Sequence, residues 1–151
     1  MVFPERFSVV IDLDGTLCDT HFRQHLAVAK QWDEFHEKME TDTVHRDIDG
    51  FLSICYQKFN IILLTGRPEK YRQRTLLWLN QSMVPCDELI MKPDGCYDPT
   101  AGWKLKALEG LFGTKEGVLQ NVLFCLEDRD KIVESFRNYG LPCWQVRSGG
   151  Y

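Results

Sequence analysis

Short apolar runs alternate along the chain with longer segments in which apolar residues recur at helical spacing. The runs predict strands, and they cover residues 7–11, 60–65, 88–91, 121–126 and 142–146. The segments predict helices over about 44–59, 69–81, 101–112 and 130–139. Most of the runs are continuously apolar, which is typical of parallel strands buried on both faces. The pattern therefore predicts an α/β fold: a three-layer, Rossmann-like parallel sheet with helices on both faces.

Polar side chains follow three of the predicted strands. Asp12 and Asp14 come after the first strand, Thr65 ends the second, and Glu127 and Asp128 follow the fourth. In parallel sheets of this kind, ligands bind outside the carboxyl ends of the strands. We expect these side chains to converge on one site.

The stretch from Asp12 to Thr16 combines two carboxylates with a turn. A spacing of two on extended chain places Asp12 and Asp14 on the same side, where their repulsion calls for a cation or a shared proton. Gly15 permits a sharp turn, after which the backbone N–H groups can face an anion, and Thr16 adds a hydroxyl. The alternative is an ordinary Asp-Gly hairpin turn. The residues 19–30 do not alternate as a returning strand would, which disfavours it.

The composition of the chain disfavours several classes of function. The chain has 18 basic and 22 acidic residues, a net charge of −4, which argues against a broad duplex-binding surface. Its six cysteines form no Cys-x-x-Cys pair, so we expect free thiols in a reducing cytoplasm. No apolar stretch has membrane-spanning length, and the first strand is too short for a signal sequence. These features predict a cytoplasmic protein without a membrane partner, and they leave a homodimer open.

The region between the first two strands is short. Apolar residues recur there at helical spacing: Phe22, Leu26, Ala29, Trp32, Phe35 and Met39. We expect one or two helices that form at most a small cap, an insertion of about 18–43 within a single domain of 1–151. We assign Trp32, Phe35 and Trp78 to the core and take Trp103 as the aromatic for base stacking. The tail 147–151 is predicted to be a loop.

The polar groups also match a known family in order along the chain. Asp12-Leu13-Asp14-Gly15-Thr16, Thr65-Gly66-Arg67, Lys104 and Glu127-Asp128 resemble the four motifs of the haloacid dehalogenase-like phosphohydrolases. Arg23, Arg67 and the segment 143–149 resemble more specifically the 3′-phosphatase domain of phage polynucleotide kinase-phosphatase. The resemblance implies a phosphomonoesterase that uses Mg²⁺ and acts on nucleotides or polynucleotide 3′ ends.

The residues suggest roles in such a reaction. Asp12, which ends the buried strand, is the candidate nucleophile, and its attack on phosphorus would form an aspartyl-phosphate. Asp14 would protonate the leaving alcohol and then deprotonate water, or serve only as a metal ligand. The resemblance implies Mg²⁺ ligands from Asp12, the Asp14 backbone carbonyl and Asp128. Glu127 would act through water, and Asp130 is an alternative ligand or a helix N-cap.

Further residues are predicted to hold the substrate. Thr65 and the Gly66 N–H would bind the phosphate, and Lys104 would place a charge between phosphate and nucleophile. Lys106, two residues further, is the alternative to Lys104. Arginine suits bidentate phosphate contact, so we expect a rim of basic side chains. Its candidates are Arg23, Arg67 and Lys92, with His21 and His25 nearby.

Other functions stay open at this point. A general small-molecule phosphatase, a phosphomutase or a phosphotransferase would use the same motifs. A receiver-like signalling module also carries Asp, Thr and Lys at the ends of parallel strands. It lacks the Asp-Gly-Thr that follows Asp12 here, so the signalling alternative is disfavoured.

Overall fold

A computed structural model describes residues 2–149. It contains a parallel sheet of five strands whose spatial order is β5-β4-β1-β6-β7. The strands are β1 (Ser8–Ile11), β4 (Asn60–Pro68), β5 (Glu88–Lys92), β6 (Val122–Arg129) and β7 (Cys143–Gly149). A separate antiparallel pair joins β2 (Cys18–Asp19) to β3 (Thr43–Val44). The predicted parallel sheet is confirmed.

Helices cover both faces of the sheet. They are α1 (Gln24–Val28), α2 (Trp32–Glu37), α3 (Arg46–Cys55), α4 (Arg72–Gln81), α5 (Thr100–Phe112), α6 (Lys115–Asn121) and α7 (Asp130–Tyr139). One face packs against α3 and α4 through Ile48, Leu52, Trp78 and Leu79. The other packs against α5, α6 and α7 through Leu108, Val118, Ile132 and Phe136. This is the predicted three-layer α/β architecture.

Strand β1 lies at the centre of the sheet, between β4 and β6. Its four residues are all buried, because side chains on alternate positions enter the two opposite layers. Val9 and Ile11 belong to one core and Val10 to the other. The continuous apolar run therefore reflects burial on both faces, and it delivers the residue after Ile11 to the middle of the sheet's carboxyl edge.

Several element predictions need correction. The tail is predicted to be a loop from 147, but β7 continues to Gly149 as an edge strand on which Gln145 and Ser148 are exposed and Arg147 is partly exposed. Residues 150–151 lie outside the described residues. Helix α6 was not predicted, since its seven residues are too few to show a helical repeat. The predicted helix from about 44 begins only at Arg46, because Thr43 and Val44 pair with β2.

The stretch predicted to be a cap contains only short elements, β2, α1 and α2, with single turns of 3₁₀ helix at His21–Arg23 and Met39–Thr41. Leu26, Ala27 and Phe35 form a small apolar cluster of their own there. The helices of residues 2–149 are all too short or too polar to cross a membrane. The extent of the cap and the single-domain organisation stay predictions.

Candidate active site

The carboxyl ends of β1, β4 and β6 open into one pocket of about 240 Å³. Seven of the predicted site residues line it: Asp12, Asp14, Thr65, Gly66, Arg67, Lys92 and Lys104. The remaining ones, Gly15, Thr16, Arg23, Glu127 and Asp128, lie beneath or beside its wall. His21 and His25 are exposed and take no part in it.

A first group of charges, here the lysine cluster, consists of Lys104, Asp12, Glu127 and Asp128. All four side chains are buried. Lys104 Nζ donates a hydrogen bond to Asp12 Oδ1 at 2.7 Å and another to Glu127 Oε1. The Thr16 hydroxyl lies 3.4 Å from Asp12 Oδ2 and 3.3 Å from Asp128 Oδ1. The two oxygens of Asp12 are thus held by different partners.

The lysine cluster has more negative than positive charge. Asp12, Glu127 and Asp128 bring oxygen atoms within 4.8 Å of one another, and within residues 2–149 Lys104 is the cation that donates to two of them. Burial raises the pKa of Asp12, and Lys104 offsets only part of this effect. Burial and the neighbouring Asp12 likewise raise the pKa of Glu127. Three carboxylates with one lysine are a site that a divalent cation would balance.

A second group, here the arginine cluster, consists of Arg23, Arg67, Asp14 and Asp42. Arg67 donates to both oxygens of Asp14, at 3.0 Å from Nε to Oδ2 and 2.6 Å from Nη2 to Oδ1. Arg23 Nη2 donates to Asp14 Oδ1 at 2.5 Å, and its Nε donates to Asp42 Oδ1 at 2.8 Å. Two cations and two anions balance in this cluster.

The arginines determine the ionisation of Asp14. Burial by itself would raise the pKa of Asp14, but the guanidinium groups of Arg67 and Arg23 outweigh it. The pKa is held well below its usual range, so Asp14 is a carboxylate at neutral pH. Asp14, Cys18 and Asp42 also lie close enough to hold a metal. The two arginines already neutralise these carboxylates, and burial keeps the Cys18 thiol protonated by raising its pKa.

The arginines do not form the exposed rim that the sequence suggested. Arg23 and Arg67 are each 1% exposed, and their guanidinium groups are occupied by Asp14 and Asp42. The expected exposed position is therefore wrong for both, because two acidic partners draw them inward, while their contact with a substrate stays a prediction. Lys92 does line the pocket, and its Nζ donates to the Asp98 carbonyl at 2.6 Å.

The predicted anion cradle at Gly15 and Thr16 also needs correction. Gly15 has a φ of +85°, as the sharp turn requires. Its N–H donates to the Cys18 carbonyl and that of Thr16 to the Leu13 carbonyl. The turn therefore uses these donors internally, and Thr16 contributes its hydroxyl to the carboxylates instead of to an anion.

Thr65 and Lys104 lie at the pocket, and their roles stay predictions, whereas Asp130 is neither in the acidic group nor the N-cap of α7, which is Arg129. Thr65 is buried at the pocket, where its hydroxyl accepts from the Arg67 N–H at 3.2 Å. Lys104 is 1% exposed, whereas the Lys106 side chain is 75% exposed and points elsewhere. Asp130 accepts from Gln145 Nε2 at 2.6 Å and lies outside the acidic group.

Strand β7 closes the far side of the lysine cluster. It pairs with β6 so closely that a Cβ on Gly149 would lie 2.6 Å from the Asp128 carbonyl oxygen and 2.8 Å from Asp128 Oδ2. Only glycine fits this approach. The end of β7 thus packs directly against Asp128, a candidate metal ligand. The prediction of a loop for the tail does not indicate this contact.

Sequence reasoning missed several residues at the pocket. Trp32, Phe35 and His36 of α2 line it, as do Pro68, Cys96, Thr100, Arg129 and Ile132. Trp32 had been assigned to the core but is 39% exposed. Trp103, taken as the stacking candidate, is 8% exposed and packs in the core against the sheet. Helical spacing could not distinguish a face that covers the core from one that faces the pocket.

Comparisons with known proteins bear on the fold and the family of the chain. Two solved structures of the Pnkp1/Rnl/Hen1 RNA repair complex each contain a chain that is similar to all of this one, at 26% and 25% identity and a TM-score of 0.78. The present chain spans 46% and 49% of their lengths. A haloacid dehalogenase-like hydrolase from Streptococcus pneumoniae shares the fold at 11% identity, with a TM-score of 0.66 over 97% of this chain and 89% of its own.

A family model also matches nearly the whole chain, over residues 7–151. Its match covers every residue of the two charged clusters, from Asp12 to Asp128. The chain belongs to the family of polynucleotide kinase PNKP phosphatase domains, within the haloacid dehalogenase-like hydrolases.

Proposed function

We propose that the protein is a Mg²⁺-dependent phosphomonoesterase that removes phosphate from nucleotides or polynucleotide 3′ ends through an aspartyl-phosphate on Asp12. The observation that carries the proposal is the setting of Asp12. Its carboxylate lies at the pocket with Oδ1 bound to Lys104 and Oδ2 beside the Thr16 hydroxyl. A carboxylate held in this way is an oriented nucleophile.

In the first step, an oxygen of Asp12 attacks phosphorus and the bond to the leaving alcohol oxygen breaks. The leaving oxygen takes up a proton, for which Asp14 is the candidate donor. Asp14 is ionised in the free protein because Arg23 and Arg67 bind it. Asp14 therefore takes up a proton from solvent before this step, and the arriving phosphate dianion, a like charge that raises the pKa of Asp14, favours that uptake.

In the second step, water attacks the phosphorus of the aspartyl-phosphate and restores the Asp12 carboxylate. Asp14 then accepts the proton of that water. The arginine cluster suits this step directly, since it keeps Asp14 as a carboxylate. Lys104 stays beside Asp12 and offsets negative charge at the reacting phosphoryl group.

The lysine cluster fits a magnesium ion. Its donors are all oxygen atoms, which Mg²⁺ prefers, and the three carboxylates exceed the single lysine in charge. Glu127 Oε2 is buried and has no hydrogen-bond partner among residues 2–149. Asp12 and Asp128 would bind the ion, with the Asp14 backbone carbonyl as the family resemblance implies and Glu127 close by. When bound, Mg²⁺ would neutralise charge on the phosphoryl oxygens.

The family supports the substrate class. The chain belongs to the polynucleotide kinase PNKP phosphatase domains, and the cap region offers only short helices beside the pocket. A site covered so sparsely can admit the end of a nucleic acid strand. A phosphatase of small phosphomonoesters is the second candidate, because the same two clusters would serve it.

The test measures phosphate release from matched oligonucleotides with a 3′- or a 5′-phosphate and from a small aryl phosphate. With Mg²⁺, we expect the 3′-phosphorylated oligonucleotide to give the highest kcat/KM. Ca²⁺ should inhibit, because it takes more oxygen ligands at longer distances and would engage both oxygens of Asp12. Full activity in chelator would contradict the metal requirement.

Asp12→Asn is the matched variant. It keeps the side chain's size but removes the nucleophile, and we expect kcat to fall at least about 1,000-fold while the circular dichroism spectrum is unchanged. Activity near the wild-type level would contradict the covalent mechanism. A higher kcat/KM on the aryl phosphate than on either oligonucleotide would favour the second candidate.

A further inference from the structure

Helix α2 forms an aromatic side wall of the pocket. Trp32, Phe35 and His36 all line it together with Asp12 and Thr65. The ring of Trp32 is stacked against that of His36, with centroids 6.4 Å apart and planes inclined by 27°. It meets the Phe35 ring edge to face at 5.7 Å. Two neighbouring rings therefore hold the indole while 39% of Trp32 remains exposed.

The wall is fixed relative to the reacting groups. Arg23 donates from Nη1 to the Phe35 carbonyl at 2.8 Å, and its guanidinium lies 4.0 Å from the centre of the Phe35 ring. The same guanidinium binds Asp14. Any ligand group that rests on Trp32 is thereby held at a set position relative to Asp14, and the wall would orient a substrate without closing over it.

A second, independent observation comes from His36. It is 7% exposed, and its Nδ1 is buried without a hydrogen-bond partner among the described residues. Burial lowers the pKa of His36 to about 4, so the ring is neutral at pH 7. A buried polar atom without a partner is costly in a protein interior. His36 lines the pocket, so a turn of its ring would let a polar group of a ligand beside Trp32 become the partner that this nitrogen lacks.

We propose that Trp32 and His36 form a subsite for the nucleobase of the terminal nucleotide, the one that carries the reacting phosphate. This inference rests on the proposed function and names the part of the substrate that the α2 wall binds. A base has a flat face that stacks on an indole and a polar edge that can meet an imidazole nitrogen. The pocket volume of about 240 Å³ suits the end of one strand, and a longer segment would lie outside.

The base rather than the phosphate is the group that this wall suits. Phosphate recognition needs cations or N–H donors, which the pocket lining supplies at Lys104 and Lys92 and not at the aromatic residues of α2. Stacking on Trp32 is tolerant of sequence, since every base has an aromatic face. The subsite would therefore select for the presence of a terminal base without selecting which base it is.

The experiment compares two 3′-phosphorylated oligonucleotides that differ only at the last nucleotide, adenine in one and an abasic sugar in the other. We expect Trp32→Ala to lower kcat/KM on the adenine-ended strand about tenfold, mainly through KM, because a stacked base is lost. On the abasic strand the same variant should stay within about twofold of wild type, and Trp32→Phe should restore most of the loss. Equal losses on both strands, or none on either, would overturn the proposal.

Trp144 provides the matched control. It is an exposed tryptophan stacked on another ring, that of Phe124 at 4.2 Å, but it does not line the pocket. Trp144→Ala should leave kcat/KM on both strands within about twofold of wild type. A base-dependent loss in this variant equal to that of Trp32→Ala would mean that removal of any surface tryptophan has the effect, and it would overturn the subsite.

Binding to the inactive Asp12→Asn protein gives a readout that does not depend on turnover. We expect the adenine-ended strand to bind more tightly than the abasic strand, and the addition of Trp32→Ala to remove that difference. A difference that survives in the double variant would overturn the subsite. If wild type cleaves 3′-phosphorylated strands without any base-dependent effect of Trp32, only the subsite fails. If it cleaves no such strand, the proposed substrate class fails and the subsite with it.

Discussion

The two buried charge clusters meet at one pocket but differ in their balance of positive and negative groups. The arginine cluster pairs two guanidinium groups with two carboxylates, and every nitrogen of both guanidinium groups donates a hydrogen bond. The lysine cluster sets three carboxylates against one ammonium and leaves Glu127 Oε2 without a partner among residues 2–149. The charges of the arginine cluster are therefore neutralised by its own side chains. The lysine cluster is suited to receive a cation and a phosphoryl group.

The contrast separates the two aspartates of the first motif. Asp12 and Asp14 are two residues apart, yet burial raises the pKa of Asp12 while the arginines lower that of Asp14. In a pair of catalytic carboxylates the raised pKa ordinarily marks the proton donor, so these directions by themselves do not assign the proposed roles. The raised pKa of Asp12 belongs to a buried cluster rich in carboxylates, and a bound cation would lower it. The proposed roles rest on position: Asp12 lies at the pocket bound to Lys104, and Asp14 lines the same pocket.

In this comparison, the largest loss of activity is expected when Lys104 of α5 is replaced, and its neighbour Lys106 provides the control. Lys104→Ala removes the only cation of the lysine cluster, and we expect kcat to fall at least about 100-fold, since charge stabilisation at the phosphoryl group is lost. Lys106→Ala, on an exposed side chain two residues further, should keep kcat within about twofold. Steady-state phosphate release measures both. Similar losses of kcat in the two variants would contradict the assignment of Lys104, and not Lys106, to the reacting phosphoryl group.

The next effect concerns the arginine cluster. Arg67→Ala leaves a buried carboxylate short of a partner, and we expect the free energy of unfolding to fall by about 3–5 kcal/mol. Because Arg67 binds Asp14 and not the outer part of a substrate, kcat/KM should fall alike on the oligonucleotide and on the aryl phosphate. Urea unfolding and both substrates give the comparison. A loss confined to the oligonucleotide would return Arg67 to the substrate rim.

A smaller effect is expected on the pH dependence of the free energy of unfolding, through the protonation of His36. Its pKa is lowered to about 4 in the folded state and is about 6.5 when unfolded. The unfolded chain therefore binds more protons between these values, so the contribution of neutral His36 to stability is complete above about pH 6.5 and is lost as pH falls toward 4. The full change is about 3 kcal/mol. His36→Gln should lose less stability than wild type over this range in urea unfolding; parallel pH curves would contradict this.

The sequence predicted the lysine cluster better than the arginine cluster. Asp12, Glu127 and Asp128 follow continuous apolar runs, and the topology of a parallel sheet brings such positions together. Arg23 meets Asp42 only through the irregular chain of the cap, where no strand or helix register relates residues 19 apart. Trp32 was misplaced for a related reason, since helical spacing shows which residues share a face but not what lies opposite that face.

The most direct measurement of the central claim applies one substitution to each cluster and follows thermal unfolding with and without Mg²⁺. A ligand that binds only the folded protein raises its stability, by about 2.7 kcal/mol at 100 times its Kd. We expect Asp42→Asn to melt lower than wild type in chelator yet keep the Mg²⁺-induced rise in Tm. Asp128→Asn should melt near wild type in chelator, since the lysine cluster has excess negative charge, and lose most of that rise. A Mg²⁺ response that survives in Asp128→Asn, or disappears in Asp42→Asn, would contradict the assignment of the cation to the lysine cluster.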